Sequence, residues 1–334
     1  MKQAEKSKVL LVGLALGFLS SGAVLAADEV ANEPTAENEV SESSDKPVQF
    51  DIAIGTELMT GDTTYSIGGA ITFADGSSEN MYFPLSELEW PLDISLARVD
   101  AGLRIGSAWR INGILKKNIS DPSDQMIDKD WLTSSNPGQL DVYSESNISD
   151  FDALIWDIDV EWAFLQRQSW SLYAGLGYQY QKFEYDAQLI HQYSPSGYPG
   201  FETYGDGSVG ITYEMTYKMP YFLIGTDLQI TPDFTLSGSF AYSPWVDAED
   251  EDHHLARVPV KVSQGDMDGD AYMIAVSGTY NFVSSWFLEG GLHYTRIDVD
   301  GKQTQSAYGV PYATIDVESE STQTSGYLKV GYRF

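Results

Sequence analysis

From Val48 onward, apolar and polar side chains alternate with a period of two. Val48, Phe50, Ile52 and Ile54 alternate with Gln49, Asp51 and Ala53. Leu154, Trp156, Ile158, Val160, Trp162 and Phe164 share one face of a later run, and Asp157, Asp159 and Glu161 share the other. The same pattern runs from Trp170 to Tyr178, Phe222 to Ile230, Phe234 to Tyr242, Ile274 to Phe282 and Trp286 to Tyr294. This alternation predicts β-strands with one apolar face. Two all-β classes fit, a secreted sandwich and a membrane-spanning barrel. Aromatic residues gather near the ends of the runs, as in the interfacial girdles of barrels. The carboxylates of the opposite face are then lumenal, where water or ion pairs satisfy them.

The end of the chain favours the barrel. Leu328, Val330, Tyr332 and Phe334 alternate with Lys329, Gly331 and Arg333, and the last strand finishes on an aromatic. That resembles the signal of bacterial outer-membrane barrels whose final strand closes the sheet. Tight turns are expected near Arg104–Ser107, Gln166–Gln168, Thr231–Asp233 and Val283–Ser285. Longer polar connections are expected near 61–80, 118–140, 192–207, 247–257 and 299–312. Four short turns and five long loops join ten strands with both ends in the periplasm, the even-numbered bacterial arrangement. The fold class expected is thus a closed, ten-stranded antiparallel transmembrane β-barrel over residues 48–334. A tilted strand crosses the bilayer in about 9–11 residues, and runs such as Phe234 to Asp252 are nearly twice that, so the wall should rise well above the lipid.

Composition adds the compartment. Lys2, Lys6 and Lys8 precede an apolar core from Val9 to Leu19 and a small-residue site at Val24-Leu25-Ala26. Residues 1–26 therefore read as a secretory signal peptide, too short in its apolar part to span. Residues 27–47 hold many carboxylates and few bulky apolar groups, so they read as a disordered tail. The exported chain has no cysteine and cannot rely on disulfides. No later apolar run is long enough for a transmembrane helix. A net charge of −30 excludes nucleic acid as a partner and favours cationic ligands or peptides.

Candidate chemistry concentrates in two acidic stretches. Asp247 to His254 holds five carboxylates and two of the chain's four histidines. Asp252 and His254 lie two residues apart, so an extended backbone turns both to one face. A carboxylate that accepts a proton from one imidazole nitrogen leaves the other nitrogen as a base. The second stretch offers Asp128 and Asp130, a carboxylate pair at the same spacing that could share a proton or hold a water. Solvated loop is the bland alternative for both. In a ten-stranded barrel the two loops lie on opposite rims, so the pairs could face each other. Gly265 to Asp270 looks like a fragment of a calcium loop but lacks the bidentate glutamate, and reads as a strand top. His191 and His293 are isolated, no histidine pair has helical zinc spacing, and no Gly-x-Ser-x-Gly elbow is present.

These residues carry a resemblance. Asp128-Lys129-Asp130-Trp131 with Ser134-Ser135-Asn136-Pro137-Gly138 resembles the loop-two motif of the omptin family of outer-membrane proteases. The match continues at Gly177-Tyr178-Gln179, Lys218-Met219-Pro220-Tyr221, Trp245-Val246 and Asp250-Glu251-Asp252-His253-His254. The resemblance implies an endopeptidase site in the extracellular mouth of a ten-stranded barrel. Asp128 and Asp130 match the family's aspartate pair, and Asp252 and His254 its Asp-His pair. His254, oriented by Asp252, would be the general base for a water attacking the scissile carbonyl directly, with no acyl-enzyme and no metal. His253 points the other way and has no expected role.

The departures bear on specificity. The family binds a basic P1 side chain between a loop-four aspartate, matched by Asp250, and an acid on the first hairpin. That second position falls on Thr64 or Tyr65, neither acidic. A Ser-x-His pattern is replaced by Ser144-Glu145-Ser146, and an acid two residues earlier by Val142, next to Asp141. Peptides or proteins with basic residues are the expected substrates. Lipopolysaccharide is the expected lipid partner and activator, with Lys182 where the family has one arginine and Thr216 where it has another. The rival functions are a non-catalytic barrel acting as an adhesin or surface interaction protein, and a lipid hydrolase, for which no convincing Ser-His nucleophile is present.

Overall fold

The computed structural model describes residues 48–283 and 285–334; the expected signal peptide and acidic tail lie outside the described residues. Ten long strands build the wall: β1 (Val48–Phe73), β2 (Ile94–Ile105), β3 (Trp109–Asn118), β4 (Val142–Gln166), β5 (Trp170–Tyr193), β6 (Ile211–Thr231), β7 (Phe234–His254), β8 (Lys261–Val283), β9 (Trp286–Ala307) and β10 (Val310–Arg333). Each pairs antiparallel with the next. β10 returns to β1, from Asp51 opposite Arg333 to Phe73 opposite Ala313, and closes the sheet. Closure removes the exposed edge that open sheets must protect, and it satisfies every backbone group inside lipid.

Three inner turns fall where the sequence puts them, at 106–108, 167–169 and 232–233, and β8 ends at Val283 with β9 starting at Trp286, where the fourth is expected. The outer connections differ from expectation. Residues 61–73, 247–254 and 299–307 belong to β1, β7 and β9, so the outer loops run 74–93, 119–141, 194–210, 255–260 and 308–309. Above the lipid both faces of a strand are polar. The hydrophobic alternation fades there while the hydrogen-bonded ladder continues. β2 and β3 stop early, but two short strands inside the first two loops, Ser86–Pro91 and Gln125–Asp130, take their places higher up. Ser86–Pro91 pairs with β1 and with Gln125–Asp130, which in turn pairs with β4.

The outward face in the lower half is apolar and exposed, with Ile54, Leu58, Leu176, Ile224, Leu292 and Leu328 all pointing away from the lumen. Aromatic pairs bound it below at Trp109–Trp162, Trp286–Tyr332 and Phe50–Phe334, and above at Trp156–Tyr178, Phe222–Trp245 and Tyr272–Tyr294. This is a lipid-facing band between two girdles. Directly above the upper girdle the outward positions become acidic. Asp247 lies opposite Asp268, Asp268 opposite Asp300, and Asp300 opposite Glu318, a row of four carboxylates across neighbouring strands.

The lumen at membrane height is filled, not open. Glu57 receives Arg98 at 2.9 Å and Lys116 at 2.8 Å, Asp100 receives Arg98 and Lys329, and Arg110 joins Glu161 to Asp227. Above these ion pairs lies an apolar and aromatic layer that includes Tyr65, Trp90, Phe151, Phe183, Tyr185, Tyr213, Met215 and Tyr217. It forms the floor of the mouth.

Candidate active site

The upper end of β7 positions most of the site. Its alternation points Asp250, Asp252 and His254 inward and Asp247, Glu249, Glu251 and His253 outward. The stretch Asp247–His254 is therefore strand rather than loop, and the pairing of inner and outer residues follows from the pleat. Asp252 lies seven residues beyond Trp245 of the upper girdle, roughly 15 Å above the lipid for a tilted strand. Outward His253 is held by Glu251, Nε2 to Oε1 at 2.7 Å, and faces away from the mouth.

His254 Nε2 lies 2.9 Å from Asp252 Oδ2. Asp252 is only 1% exposed and His254 9%. Burial drives the Asp252 carboxyl up, but the imidazole of His254, with Lys261 and Arg257 behind it, holds it below the usual carboxylate range. Burial drives His254 down, Asp252 draws it up, and Lys261 and Arg257 push it down again, leaving it below an ordinary histidine. The pair at rest is thus a carboxylate beside a neutral ring.

Asp128 and Asp130 come from the short strand Gln125–Asp130 and point to the same interior. Asp128 lies opposite Ser144 of β4, and Asp130 opposite Val142 and Ser86. The Oδ1 of Asp128 is shut off from solvent and has no hydrogen-bond partner. Burial, then the charges of Asp130 and Asp252, push Asp128 far above the usual range. Asp130 is also raised, by burial, against the pull of Ser86, Arg257, His254 and Lys261. The two pairs expected from the sequence are therefore near enough to act on each other's protons. Burial and mutual repulsion thus both favour protonation of this carboxylate pair.

One turn of the pleat below, Asp250 is buried, and neither of its oxygens has a hydrogen-bond partner. The amide of Gly265 and the hydroxyl of Tyr213 lie close without reaching hydrogen-bond geometry. Burial, then the charge of Asp252, push Asp250 up to about 8. Gly265 makes its room: a Cβ there would stand 2.2 Å from Asp250 Oδ1. The surrounding walls are aromatic, with Tyr65 5.6 Å from Tyr213 and Trp90 stacked on Tyr213 at 4.8 Å. Of the two first-hairpin positions, Tyr65 faces this pocket and bonds Gln303, whereas Thr64 leans on Asp62. Neither first-hairpin position therefore brings an acid to Asp250.

Other expected positions resolve differently. Asp141 is committed to the loops: its carboxylate accepts from the amides of Leu132 and Thr133, from Gln139 and from Ser196. Those bonds hold it at about 2, and they leave it no free lone pair for a substrate. Ser144 and Ser146 point inward beside the aspartate strand. Lys182 points outward and is already paired with Glu184 at 3.1 Å and Glu214 at 3.0 Å.

Sequence reading missed Lys261 and Ser263. Both face inward on β8, opposite His254 and Asp252 respectively. Lys261 Nζ stands 3.5 Å from His254 Nε2, and the buried Ser263 hydroxyl has no partner. The signal that could have found them is the hairpin: a loop at 255–260 fixes the register that sets Lys261 against His254.

A family model described as the Omptin family matches residues 64–320. Protease 7 of Escherichia coli O157:H7 is 32% identical over 134 residues, 39% of this chain and 42% of that protein. Protease 7 of Escherichia coli strain K12 is 29% identical over 46% of this chain and 50% of its own length. The plasminogen activator of Yersinia pestis is 24% identical over 58% and 64%. The matched part thus spans about half the length of the first two relatives. The crystal structure of the outer membrane protease OmpT from Escherichia coli superposes with a TM-score of 0.68 at 20% identity, covering 86% of this chain and 98% of that one.

Proposed function

This chain belongs to the omptin family and is an outer-membrane barrel with its mouth outside the cell, and we propose that it acts there as an endopeptidase. The observation that carries the reading is the buried contact of His254 Nε2 with Asp252 Oδ2 at 2.9 Å, in one chamber with Asp128 and Asp130. For this reaction we assign the N–H of Nε2 to Asp252, 2.9 Å away though its oxygens complete no hydrogen bond in the resting chain, which leaves Nδ1 as the base. A water held by the aspartate pair gives its proton to Nδ1 and its oxygen attacks the scissile carbonyl carbon. The proton shared by Asp128 and Asp130 hydrogen-bonds the carbonyl oxygen as it gains charge. The imidazolium then returns its proton to the departing amine nitrogen as the C–N bond breaks, releasing a carboxylic acid and an amine, which settle as carboxylate and ammonium.

Asp250 supports a basic residue at P1, and the aromatic walls of its pocket suit the aliphatic stem of arginine or lysine. The acidic mouth favours cationic segments generally. For lipopolysaccharide, Lys182 is the contact we assign, weakened by Glu184 and Glu214 beside it.

The test is cleavage of arginine- and lysine-containing peptides by refolded protein, with and without added lipopolysaccharide. Asp252→Ala and His254→Ala should each lower kcat by at least about 10²-fold, the range for loss of a general base. Cleavage that survives both changes sinks the mechanism, and an indifferent Asp128→Ala removes the carboxylate pair from it. A wild-type protein that cleaves none of these peptides would leave the adhesin reading.

A further inference from the structure

Two charged side chains reach the same nitrogen of His254. Asp252 Oδ2 lies 2.9 Å from Nε2 and Lys261 Nζ lies 3.5 Å from it. Their effects on the ring are opposed. A carboxylate needs an N–H pointing at it, and it also favours a second proton on the ring. An ammonium disfavours that second proton. Asp252 orients the imidazole, but its charge also favours the protonated ring, which cannot act as a base.

The place of Lys261 is built into the sheet. It is the first residue of β8 and stands directly opposite His254 of β7, so backbone register fixes the pair. It is only 8% exposed. A lysine this buried is costly unless its charge is used. Among the described residues its Nζ forms no ion pair with a carboxylate; its polar neighbour is the imidazole.

We propose that Lys261 is a positioning residue for His254, offsetting the pull of Asp252 so that the ring stays neutral while its orienting carboxylate stays ionised. The role rests on the reaction proposed above. The charged and titratable groups facing His254 are Asp252 from β7, Lys261 from β8, Arg257 from the loop between them, and Asp128 and Asp130 from the short strand. Burial lowers His254 most, and Lys261 and Arg257 add to it against Asp252. Lys261 itself is lowered by burial and supported by Asp252, Asp128 and Asp130.

The test uses the full refolded barrel with Lys261→Met, Lys261→Gln and Lys261→Arg. The first readout is kcat/KM against pH for a peptide with arginine at P1. Activity needs the neutral ring, so it falls on the acid side as His254 gains its proton. Wild type should show this fall below pH 6.5, the ordinary histidine value. Loss of the ammonium raises the affinity of His254 for that proton. In the Met and Gln variants the acid limb should therefore move up by about one pH unit, with about a tenfold loss below the limb and less than about a threefold change on the plateau. Lys261→Arg keeps the charge and should keep the wild-type limb.

The second readout is an NMR titration of labelled histidine, with His254→Ala assigning its signal among the chain's four histidines. It is needed because Lys261 also lowers Asp128 and Asp130, and only the ring signal isolates His254. An unmoved ring titration in both Met and Gln variants overturns the proposal, as does an equal loss of activity at every pH. If wild type cleaves nothing, the proposed function fails, while the ring titration still decides whether Lys261 governs His254.

Discussion

Asp250 shows how a single buried side chain ties specificity to stability. Its carboxyl titrates near 8 in the fold, raised first by burial and then by Asp252, against about 3.9 in an unfolded chain. Between these values the folded barrel holds a proton that the unfolded chain has lost. By linkage, stability then falls as pH rises from about 4 to about 8. Asp250→Asn removes the burden. The variant should melt higher than wild type at pH 8 to 9, and the gap should close toward pH 4, as read by thermal unfolding in detergent micelles. A gap of constant size across that range would mean the carboxyl is not the source. A cationic P1 group entering the pocket does by pairing what the mutation does by neutralisation, so the variant should also lose its preference for arginine.

At the scale of strands, the row Asp247, Asp268, Asp300 and Glu318 runs against a general rule of sheets. Like charges directly opposite each other destabilise the pair. Asp268 has a carboxylate neighbour on each side. Asp268→Asn should raise stability by about 0.3 kcal/mol at low ionic strength, and salt should erase the gain because these groups are exposed. A gain that persists at high salt would point to packing instead. The same row explains what the sequence could and could not reveal. Within the membrane, Trp156 and Asp157 meet lipid and lumen, so the period of two is plain. Higher up, Glu249 faces solvent and Asp250 faces a polar mouth, so hydropathy no longer alternates although the strand continues. That is why Asp247 to His254 reads as a loop. The roles of Asp252 and His254 were still legible, because their two-residue spacing gives one face on any extended backbone. Lys261 was not, since its neighbour is chosen by register across a hairpin. Only the fold could likewise separate Tyr65 from Thr64.

The barrel as a whole is a charged mouth on a filled stem. The lumenal ion pairs around Glu57 and the aromatic layer above them fill the stem beneath the acidic mouth. With a net charge of −30, the field should speed capture of cationic peptides. Raising salt from 10 to 300 mM should cut kcat/KM for a doubly basic peptide by about tenfold, mostly through KM. A peptide of the same length with one basic residue should lose less. Equal losses would place the salt effect elsewhere.

The wall of this mouth is hydrogen-bonded sheet as far up as His254 and Lys261. A paired sheet cannot fold over what it holds. Water other than the one that attacks must nonetheless leave the neighbourhood of Asp252 and His254 for their charges to act at full strength. Covering is therefore left to the outer loops and to the guest itself. A polypeptide long enough to fill the mouth is its own cover, so a short peptide with the right residue can bind and still leave the chemistry wet.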